Sequence, residues 1–451
     1  MSVDSAFETQ DAHLLEQAQQ FVQAALKKGA DQAEAIVAKS SSLSVSVRNG
    51  ELEETDSSES NGFTLRCFVG NRSASVSANQ LSEFDQLAER AVAMAKVSPE
   101  NPFAGLLEEE HLATDFHDLD LQDKQIQSAT ELQERALACE AAALAVEGVS
   151  NSSGASASFG RGGMVLATSN GFNGSYASTR HSCSVSVVAG EGTSMERDYD
   201  YDSRVHLEDL RGPDDIGRRA GEQTVRRVGP KQVPSQQAAV VYDPRVASGL
   251  VSHFSGAING ASIARKTSFL REKMGDAVFG KSIRITDDPH RSRGLASRPF
   301  DGEGASANPL NLVENGILQH WLLDRAAAKE LGLTTNGRAA RSGGQTSPSS
   351  TNLTLHAGDK SPEELMREIG TGLYITELIG RGVNMVTGDY SRGVSGYWIE
   401  NGEITYPVSE ITVAGSLADM FARLVPANDL EYKTSTNAPT VLIEGMTIAG
   451  R

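Results

Sequence analysis

The sequence predicts an α+β protein in which two mixed helix-and-strand units precede a large β-rich C-terminal domain. Three observations lead to this fold class. The chain of 451 residues exceeds the size at which a single hydrophobic core stops growing. A helix, short alternating strands and a second helix occur twice in that order before residue 230. After that point, short strands and hairpin turns dominate and helices are few.

Residues 1–97 form the first predicted unit. Apolar residues at helical spacing predict a helix at the start of this unit. Gly29 lies at the position where a glycine commonly ends a helix. Four strand segments with hairpin turns follow over residues 43–78. A helix from about Ser82 to Lys96 then closes the unit, with Ser82 as its capping residue. The unit therefore has the order α-β4-α.

Residues 98–122 change in composition, with prolines, little periodicity and an acidic run from Glu108 to Glu110. This composition indicates a linker, and the acidic run indicates a solvated face. A helix, strands and a helix follow again over residues 123–230. The two units indicate a possible α-β4-α repeat, although no residue-level identity relates them. Residues 237–451 then form the predicted β-rich domain.

The stretch from Gly372 to Leu424 combines strand patterns with a high density of glycine and hydroxyl groups. Two alternating segments flank Asn401-Gly402, a dipeptide that supplies the positive φ angles of a tight hairpin turn. The glycines between Gly380 and Gly396 leave room for another backbone to approach closely. We therefore predict that this region contacts either an extended peptide, held by strand addition, or a partner subunit.

Composition limits the possible functions. The chain is 39% hydrophobic and 22% charged, a composition that is typical of soluble globular proteins. No window approaches eighteen consecutive apolar residues and no basic, apolar leader opens the chain, so we expect a cytoplasmic protein without membrane contact. Three widely spaced cysteines fit a reducing compartment. A formal net charge of -18 opposes direct binding of nucleic acid.

Several segments of the C-terminal half resemble the TldD/PmbA family. The run GRGVNMVTGDYSRGVSGYWIENGEITYPVSEITVAGSL, which begins at Gly380, is similar to the C-terminal signature of that family. Further similar segments are LVSHFSGAINGASIARKTSFL (Leu250 to Leu270), GLASRPFDGEG (Gly294 to Gly304) and GILQHWLLD (Gly316 to Asp324). The resemblance is greatest to the PmbA branch, also called TldE. The N-terminal half fits the family in length and layout.

The resemblance implies a subunit of a TldD/PmbA metallopeptidase heterodimer. The TldD-like subunit of the family carries a His-Glu-x-x-x-His motif on a helix and a further cysteine ligand near its C-terminus. In this chain the corresponding helix contains a lone His253, Phe254 takes the place of the glutamate, and no cysteine follows Cys183. The resemblance therefore implies that zinc belongs to a TldD-like partner and that this chain has no cofactor of its own. It also implies peptide substrates that are unfolded or flexible, including peptide precursors and antitoxins.

The histidine spacing also argues against a zinc site in this chain. Zinc-dependent hydrolysis requires about three protein ligands and a general base. None of the nine histidines is followed by glutamate, and no two lie within four residues of each other. His290, His320 and His356 remain as scattered ligands that only tertiary structure could bring together. We therefore predict no metal ligand and no catalytic residue in this chain.

The candidate residues for substrate binding or for a subunit seam are His253, Asn384, Thr387, Gly388, Asp389, Ser391 and Gly393. The apolar neighbours of His253 indicate an inward-packing helix, so a buried core or interface histidine is the alternative to a substrate contact. The hydroxyl groups near Ser391 could bond to backbone instead of taking part in chemistry. The isolated chain is expected to form a homodimer, because a surface that covers a partner leaves apolar area exposed in a lone chain.

Two other classes of function stay open. One is a self-sufficient hydrolase with an unrecognised nucleophile near Ser391, and the other is a non-catalytic peptide-binding or regulatory protein that needs no peptidase partner. The segment from Gly275 to Ser282 also matches the phosphate-binding pattern G-x-x-x-x-G-K-[ST]. Charged residues precede this segment and a strand-like alternation follows it, so we do not expect it to bind a nucleotide.

Overall fold

The computed structural model describes residues 3–79 and 84–450, and its first unit has two helices and three strands. These elements are α1 (Val3–Lys27), β1 (Gln32–Arg48), β2 (Glu51–Val69), β3 (Arg72–Ala78) and α2 (Phe84–Val97). Gly29 follows α1 with a φ of 97°, a conformation that favours glycine and ends the helix there. The predicted capping residue of α2, Ser82, lies outside the described residues.

The central unit repeats this order. Its elements are α3 (Ala129–Leu144), β4 (Val149–Thr168), β5 (Asn173–Ala189), β6 (Glu196–Arg204) and α4 (Pro213–Arg226). A capping box starts α3, because the Ser128 side chain accepts the amide of Glu131 while the Glu131 carboxylate accepts the amide of Ser128. The α+β fold class is thus confirmed for the N-terminal half.

The repeat contains three strands per unit, so the prediction of four was wrong in number. β2 runs unbroken through residues 57–61, which are polar on both faces and therefore carry no strand periodicity. Each of them pairs with β1, from Ser57 opposite Leu43 to Asn61 opposite Lys39. Pairing with β1 therefore keeps β2 continuous, and this pairing cannot be read from the periodicity of the β2 sequence.

The two units share one antiparallel sheet of six strands in the order β3-β2-β1-β4-β5-β6. β1 and β4 join them, with pairs from Glu34 and Thr168 to Val47 and Ala155. Helices α1 and α2 cover one end of a sheet face, where they bury Val37 of β1 among other apolar residues. Helices α3 and α4 cover the other end of the same face, above Val47. Alternation along β1 places both valines on this face.

The opposite face of this sheet consists largely of small polar residues. Ser44, Ser158, Ser182 and Ser203 lie side by side across β1, β4, β5 and β6. Nearer one end, a cluster of apolar residues on this face packs against Phe300 of the C-terminal domain. The C-terminal domain therefore docks on one end of the face that the helices leave open.

The C-terminal domain is β-rich, which confirms the second part of the predicted fold class. Its elements are β7 (Gln236–Tyr242), α5 (Pro244–Ala257), α6 (Gly260–Ala264), β8 (Ile285–Asp287), β9 (Leu310–Glu314), β10 (Ile317–Leu318), α7 (Arg325–Leu331), β11 (Ala339–Ser342), β12 (Gln345–Pro348), β13 (Leu353–Leu355), α8 (Pro362–Ile369), β14 (Gly372–Ile379), β15 (Asp389–Glu400), β16 (Glu403–Ser416), α9 (Leu417–Arg423), β17 (Val425–Pro426), β18 (Thr436–Asn437) and β19 (Val441–Ala449). In the described part of the chain, no helix is both long enough and apolar enough to cross a membrane.

Two sheets and one hairpin organise this domain. The larger sheet has the order β16-β15-β14-β7-β19-β17, and an additional pairing of β16 with β19 closes it on itself. The smaller sheet has the order β10-β9-β8-β13-β18, and β11 pairs with β12 separately. Helix α5 packs between the sheets, and its apolar residues belong to the largest hydrophobic core of the chain. The closed sheet thus holds α5 and the β14–β15 connection in fixed positions.

Residues 98–122, which the sequence predicts to be a linker, contain a short 3-10 helix at Glu109–His111 and otherwise little regular structure. Four leucines of this segment are buried: Leu106, Leu107, Leu119 and Leu121. Glu108 pairs with Lys329 (2.6 Å) and Arg325 (3.3 Å). The interpretation of the whole acidic run as a solvated face was therefore wrong for Glu108, although Glu109 and Glu110 are exposed. The boundaries proposed for the domains stay a prediction.

Candidate functional site

Helix α5 places His253 beside the hydrophobic core. The helix begins where the Asp243 carboxylate accepts the backbone amide of Arg245 (2.9 Å), with Pro244 in its first turn. Phe254, the next residue after His253, is fully buried. Its ring makes edge contacts with the rings of Phe279 and Phe421, at centroid distances of 5.2 and 6.1 Å. The position at which a zinc peptidase carries its general base is therefore a packing position in this chain.

The imidazole of His253 is partly buried beside an aromatic ring and a cation. Its ring centroid lies 6.2 Å from that of Tyr390, in an edge arrangement. Burial lowers the pKa of His253 below its ordinary value, and the positive charge of Arg392 acts in the same direction. Both effects favour the neutral imidazole. The structure leaves both interpretations of His253, a buried interface residue or a substrate contact, as predictions.

His253 lines a cavity of about 420 Å³ between the central unit and the C-terminal domain. The buried carboxylate of Asp198 on β6 lies 3.1 Å from Arg245 and 3.5 Å from Arg227, and Arg227 also pairs with Glu377. Burial by itself would lower the pKa of both guanidinium groups. The hydrogen bonds and negative charges of their partners outweigh it, so both pKa values are raised. A permanently ionised network therefore joins the two parts of the molecule at this cavity.

The residues between β14 and β15 form a compact turn. The Asn384 side-chain oxygen accepts the backbone amides of Val386 (2.9 Å) and Thr387 (3.4 Å). The Thr387 hydroxyl donates to the Asp389 carboxylate (2.5 Å). Gly388 has a φ of 83°, which favours glycine, and its amide donates to the Asn384 carbonyl (2.8 Å). The structure thus brings Asn384, Thr387, Gly388 and Asp389 together, with much of their bonding capacity used within the turn.

Strand geometry separates this turn from His253. Tyr390 and Arg392 face the side of β15 on which His253 lies. Because successive side chains of a strand point to opposite faces, Asp389 and Ser391 point away from His253. Ser391 is exposed, and its hydroxyl forms no hydrogen bond with a described histidine. The seven candidates therefore fall into two locations instead of one site.

The glycines of this region accommodate the strands of the chain itself. A Cβ atom at Gly382 would collide with the backbone of Ser391, and one at Gly396 would collide with the backbone of Tyr374. Gly393 lies between Ile379 of β14 and Thr412 of β16. Since β15 is paired along both edges, it has no free edge on which an extended peptide could add. Any contact with a peptide or a partner here must use the exposed side chains of the turn and of Ser391.

The side chains around His253 do not fit a zinc ion of the kind that the resemblance assigns to a TldD-like partner. The neighbours of His253 include the Tyr390 ring and the Arg392 guanidinium, whose positive charge opposes a metal cation. The scattered histidines do not supply a site elsewhere, since within residues 3–79 and 84–450 no three His, Cys, Asp or Glu side chains are placed to hold a metal. The His290 ring contacts the His117 ring in a tilted arrangement, with 4.2 Å between centroids, and His356 shares a hydrogen bond with Thr286 (2.9 Å). The absence of a cofactor from this chain stays a prediction.

The segment from Gly275 to Ser282 lacks the geometry of a phosphate-binding loop. The amide of Gly275 donates to the carbonyl of Leu318, and the amide of Val278 donates to that of Gly316, each at 2.9 Å. Strand β8 follows the segment, whereas a phosphate loop is followed by a helix. These amides are therefore committed to the β9–β10 hairpin and do not point at a common ligand position.

Sequence reasoning missed the buried carboxylates of β6. Asp198, Asp200 and Asp202 alternate along the strand, and all three are buried. Asp200 pairs with Arg211 (2.8 Å), and Asp202 pairs with Arg204 (3.1 Å). The strict alternation of aspartate with tyrosine in DYDYD was the available signal, because it indicates a strand with one carboxylate-bearing face.

Family models match most of the chain. Residues 33–95 match PmbA/TldA metallopeptidase domain 1, residues 119–228 match the central domain, and residues 235–450 match the C-terminal domain. The metalloprotease PmbA of Escherichia coli O157:H7 is 38% identical over 425 residues, which cover 93% of each chain. These matches bear out the resemblance that the C-terminal motifs indicate.

Solved structures share the fold over nearly the whole chain. One is a Bacteroides thetaiotaomicron protein described as a candidate modulator of DNA gyrase, with 28% identity, a TM-score of 0.89 and coverage of 96% of this chain and 98% of that one. Another is TldE of Thermococcus kodakarensis, with a TM-score of 0.85 and coverage of 96% and 99%. That structure is 19% identical in sequence and supports the fold alone. The family models and the E. coli relative carry the assignment: this chain belongs to the PmbA/TldD family of metallopeptidases.

Proposed function

We propose that this chain is the PmbA-like, non-metal-binding subunit of a cytoplasmic metallopeptidase complex, and that a TldD-like partner supplies the zinc. The observation that carries the proposal is the burial of Phe254 among aromatic rings, next to the lone His253. This packing occupies the position that a catalytic base would need. Unfolded or flexible peptides are the proposed substrates, as the resemblance implies.

The test measures zinc content and peptide cleavage together. The chain, a TldD-like protein and their mixture are each analysed for zinc and incubated with a fluorescently labelled unfolded polypeptide. We expect only the mixture to cleave the polypeptide. Removal of zinc from the TldD-like protein with a chelator should abolish this cleavage. Stoichiometric zinc with chelator-sensitive cleavage by the lone chain would overturn the proposal. Cleavage by the lone chain that Ser391→Ala abolishes would instead support the self-sufficient hydrolase.

We further propose that the exposed surface around the β14–β15 turn contacts the partner subunit. This turn patch consists of Ile379, Asn384, Val386, Thr387, Asp389 and Ser391. Ile379 and Val386 are each 54% exposed, which is unusual for large apolar side chains. Exposed apolar residues surrounded by polar groups are typical of protein interfaces. The adjacent hydroxyl, amide and carboxylate groups of the turn would form the polar rim.

A bulky neutral substitution tests the turn patch. Ser391→Gln enlarges an exposed side chain that makes no described hydrogen bond, whereas Gly388→Val would also strain a backbone with a φ of 83°. We expect Ser391→Gln to weaken binding of a TldD-like partner, measured by titration, and Ser175→Gln to leave it unchanged. Ser175 is an exposed strand serine outside the patch. Equal partner affinity for both variants would remove the turn patch from the seam.

The lone chain is expected to bury the same apolar surface in a twofold homodimer. Light scattering at micromolar concentration measures this directly. The double substitution Ile379→Ser and Val386→Ser should shift the chain toward monomer, because it removes the exposed apolar groups. Met274→Ser, at another exposed apolar residue (40% exposed), serves as the control. A strictly monomeric unmodified chain would contradict the expectation.

A further inference from the structure

A cationic cavity lies where β6 meets the loops of the C-terminal domain, away from His253. Its volume is about 390 Å³, within the range of small-ligand sites. Its lining includes four positively charged side chains, those of Arg204, Arg291, Arg293 and Lys433. Among the described residues that line it, Asp209 is the only acidic one. Such an excess of cations is notable in a chain whose formal net charge is -18.

Three of the four cations already have acidic partners. Arg204 pairs with Asp202 (3.1 Å), and Lys433 pairs with Glu431 (2.5 Å). Arg293 pairs with three carboxylates, those of Asp120, Glu208 and Asp209, at 2.6, 2.6 and 3.0 Å. These pairs hold the three side chains in place. Arg291, the fourth cation, differs from them in its contacts.

Arg291 forms no ion pair with any described residue. Its guanidinium carbon lies 3.4 Å from the centroid of the Tyr432 ring. Stacking of this kind holds the planar group by its face and leaves the N–H groups along its edge free to donate. Its guanidinium donates no hydrogen bond to a described residue. Arg291 is therefore a fixed, half-buried donor whose edge meets no acceptor within residues 3–79 and 84–450.

Arg204 and Arg291 converge on the same tyrosine. Arg204 donates a hydrogen bond to the backbone carbonyl of Tyr432 (2.5 Å), while Arg291 stacks on its ring. Burial lowers the pKa of Arg291 and the positive charge of Arg204 acts in the same direction, and together they outweigh the opposing effects of Tyr432 and Asp288. The two like charges repel each other, and a bound anion would relieve that repulsion.

We propose that this cavity binds an oxyanion, with the edge of the Arg291 guanidinium as the main donor and Arg204 as the second cation. A planar guanidinium is suited to a carboxylate or a phosphate because two parallel N–H groups meet two oxygens. The carboxylate of a peptide, at its C-terminus or on a side chain, is the source that fits a peptide-processing complex. That choice of source rests on the proposed function, whereas the oxyanion site itself does not.

The test is a binding titration of the isolated chain, so that it does not depend on peptidase activity. The probes are a pentapeptide with a free C-terminal carboxylate, the same pentapeptide as its amide, and inorganic phosphate. Arg291→Gln removes the charge, and Arg291→Lys keeps the charge without the planar fork. Arg271→Gln is the control, because Arg271 is exposed and lies outside the cavity.

We expect the free-acid peptide to bind about tenfold more tightly than its amide, and Arg291→Gln to abolish that difference. Arg291→Lys should retain part of it, and Arg271→Gln should retain all of it. Binding of phosphate that depends on Arg291, without discrimination between the two peptides, would support the oxyanion site and overturn the peptide source. Binding of no probe, or binding of every probe equally by Arg291→Gln and the unmodified chain, would overturn the site.

Discussion

At the scale of single residues, the buried carboxyl group of Glu303 should make stability depend on pH. Burial raises the pKa of Glu303 from 4.5 to about 8, and the negative charges of Asp301 and Asp324 act in the same direction. Between these two pH values the folded chain keeps a proton that the unfolded chain has lost. The unfolded state then binds fewer protons, so the free energy of unfolding falls as pH rises through this window.

Glu303→Gln should remove this pH dependence. The side-chain amide imitates the neutral carboxyl: its oxygen can accept the Arg325 backbone amide (2.8 Å), and its NH2 group, like the carboxyl O–H, can donate to the Thr346 hydroxyl oxygen (3.0 Å). Between about pH 5 and 8 we expect the slope of the unfolding free energy to change by about 1.4 kcal/mol per pH unit. Urea denaturation at several pH values measures it, with Glu444→Gln as an exposed control. Identical slopes for Glu303→Gln and the unmodified chain would contradict the assignment.

The ion pair of Asp287 and Arg338 predicts a large loss of stability on truncation. Both side chains are fully buried, with the Arg338 Nε atom 2.5 Å from an Asp287 oxygen. Arg338→Met would leave the carboxylate with the amide and hydroxyl of Thr351 as its remaining donors. We expect a loss of about 3–5 kcal/mol in the free energy of unfolding. Asp287→Asn combined with Arg338→Met should recover part of this loss. A loss below about 1 kcal/mol for Arg338→Met would refute the prediction.

The backbone conformation of individual turn residues could be predicted from the sequence, whereas the burial of individual charged side chains could not. Asn401 and Gly402 have φ angles of 56° and 79°, as the hairpin prediction requires. Asp301 lies in the recognised segment GLASRPFDGEG, yet nothing in that segment indicates its complete burial. One of its carboxylate oxygens accepts the amide of Ala339, a residue far along the chain (2.9 Å). Partners this distant in sequence are supplied by the tertiary fold.

At the scale of elements, β2 has an exposed acidic edge. Every residue from Glu51 to Asn61 is exposed. β1 pairs with this part of β2 on one side, while β3 pairs with β2 only from Phe63 onward. Among the described residues, the outer edge of this segment is therefore unpaired. Free strand edges promote association between molecules, and charged side chains are a common protection against it.

Removal of this charge should make the protein aggregate. The triple variant Glu54→Gln, Asp56→Asn and Glu59→Gln removes three negative charges beside the free edge. We expect faster growth of light scattering at 37 °C with little change in the free energy of unfolding. The control variant Glu109→Gln, Glu110→Gln and Glu134→Gln removes the same charge from exposed positions elsewhere. Equal aggregation of the two variants would show that net charge, and not the edge, protects the protein.

The same element shows where periodicity fails as a predictor. The apolar faces of α2 and α5 repeat at helical spacing, and both helices could be predicted because one side packs on a core. Residues 57–61 of β2, which lie between two predicted strand segments, are exposed and polar, so no apolar alternation indicates a strand there. The candidate turn was predictable as a glycine-rich surface. Its separation from His253 depends on the face of β15 to which each side chain points.

At the scale of the whole molecule, the order of the parts could be predicted, whereas their docking could not. Hairpin signals and hydrophobic periodicity indicate two α+β units and a β-rich domain, and that fold class is confirmed. The shared sheet depends on pairing of β1 with β4, which lie far apart in sequence. The docking of the sheet on the C-terminal domain depends on side chains that show no local pattern. A buried Glu34 on β1, for example, meets Arg341 of the C-terminal domain.

This contact yields the last prediction, which concerns the cooperativity of unfolding. Both nitrogens of the Arg341 fork meet the Glu34 carboxylate, at 3.1 and 2.6 Å, and both side chains are buried. Arg341→Leu would leave Glu34 with Arg66, at 3.6 Å, as its remaining cationic partner. Loss of one member of a buried pair costs about 3–5 kcal/mol. Glu34 belongs to the N-terminal sheet and Arg341 to the C-terminal domain. The lost free energy therefore weakens the docking of the sheet on that domain.

We therefore expect Arg341→Leu to separate calorimetric unfolding into two transitions and to speed proteolytic cleavage within residues 98–122. That segment is held partly by its contact with the C-terminal domain, through the pairing of Glu108 with Lys329. Arg271→Leu, at an exposed arginine, should change neither measurement. A single transition with an unchanged midpoint in Arg341→Leu would mean that the apolar cluster around Phe300 couples the two parts without help from the ion pair.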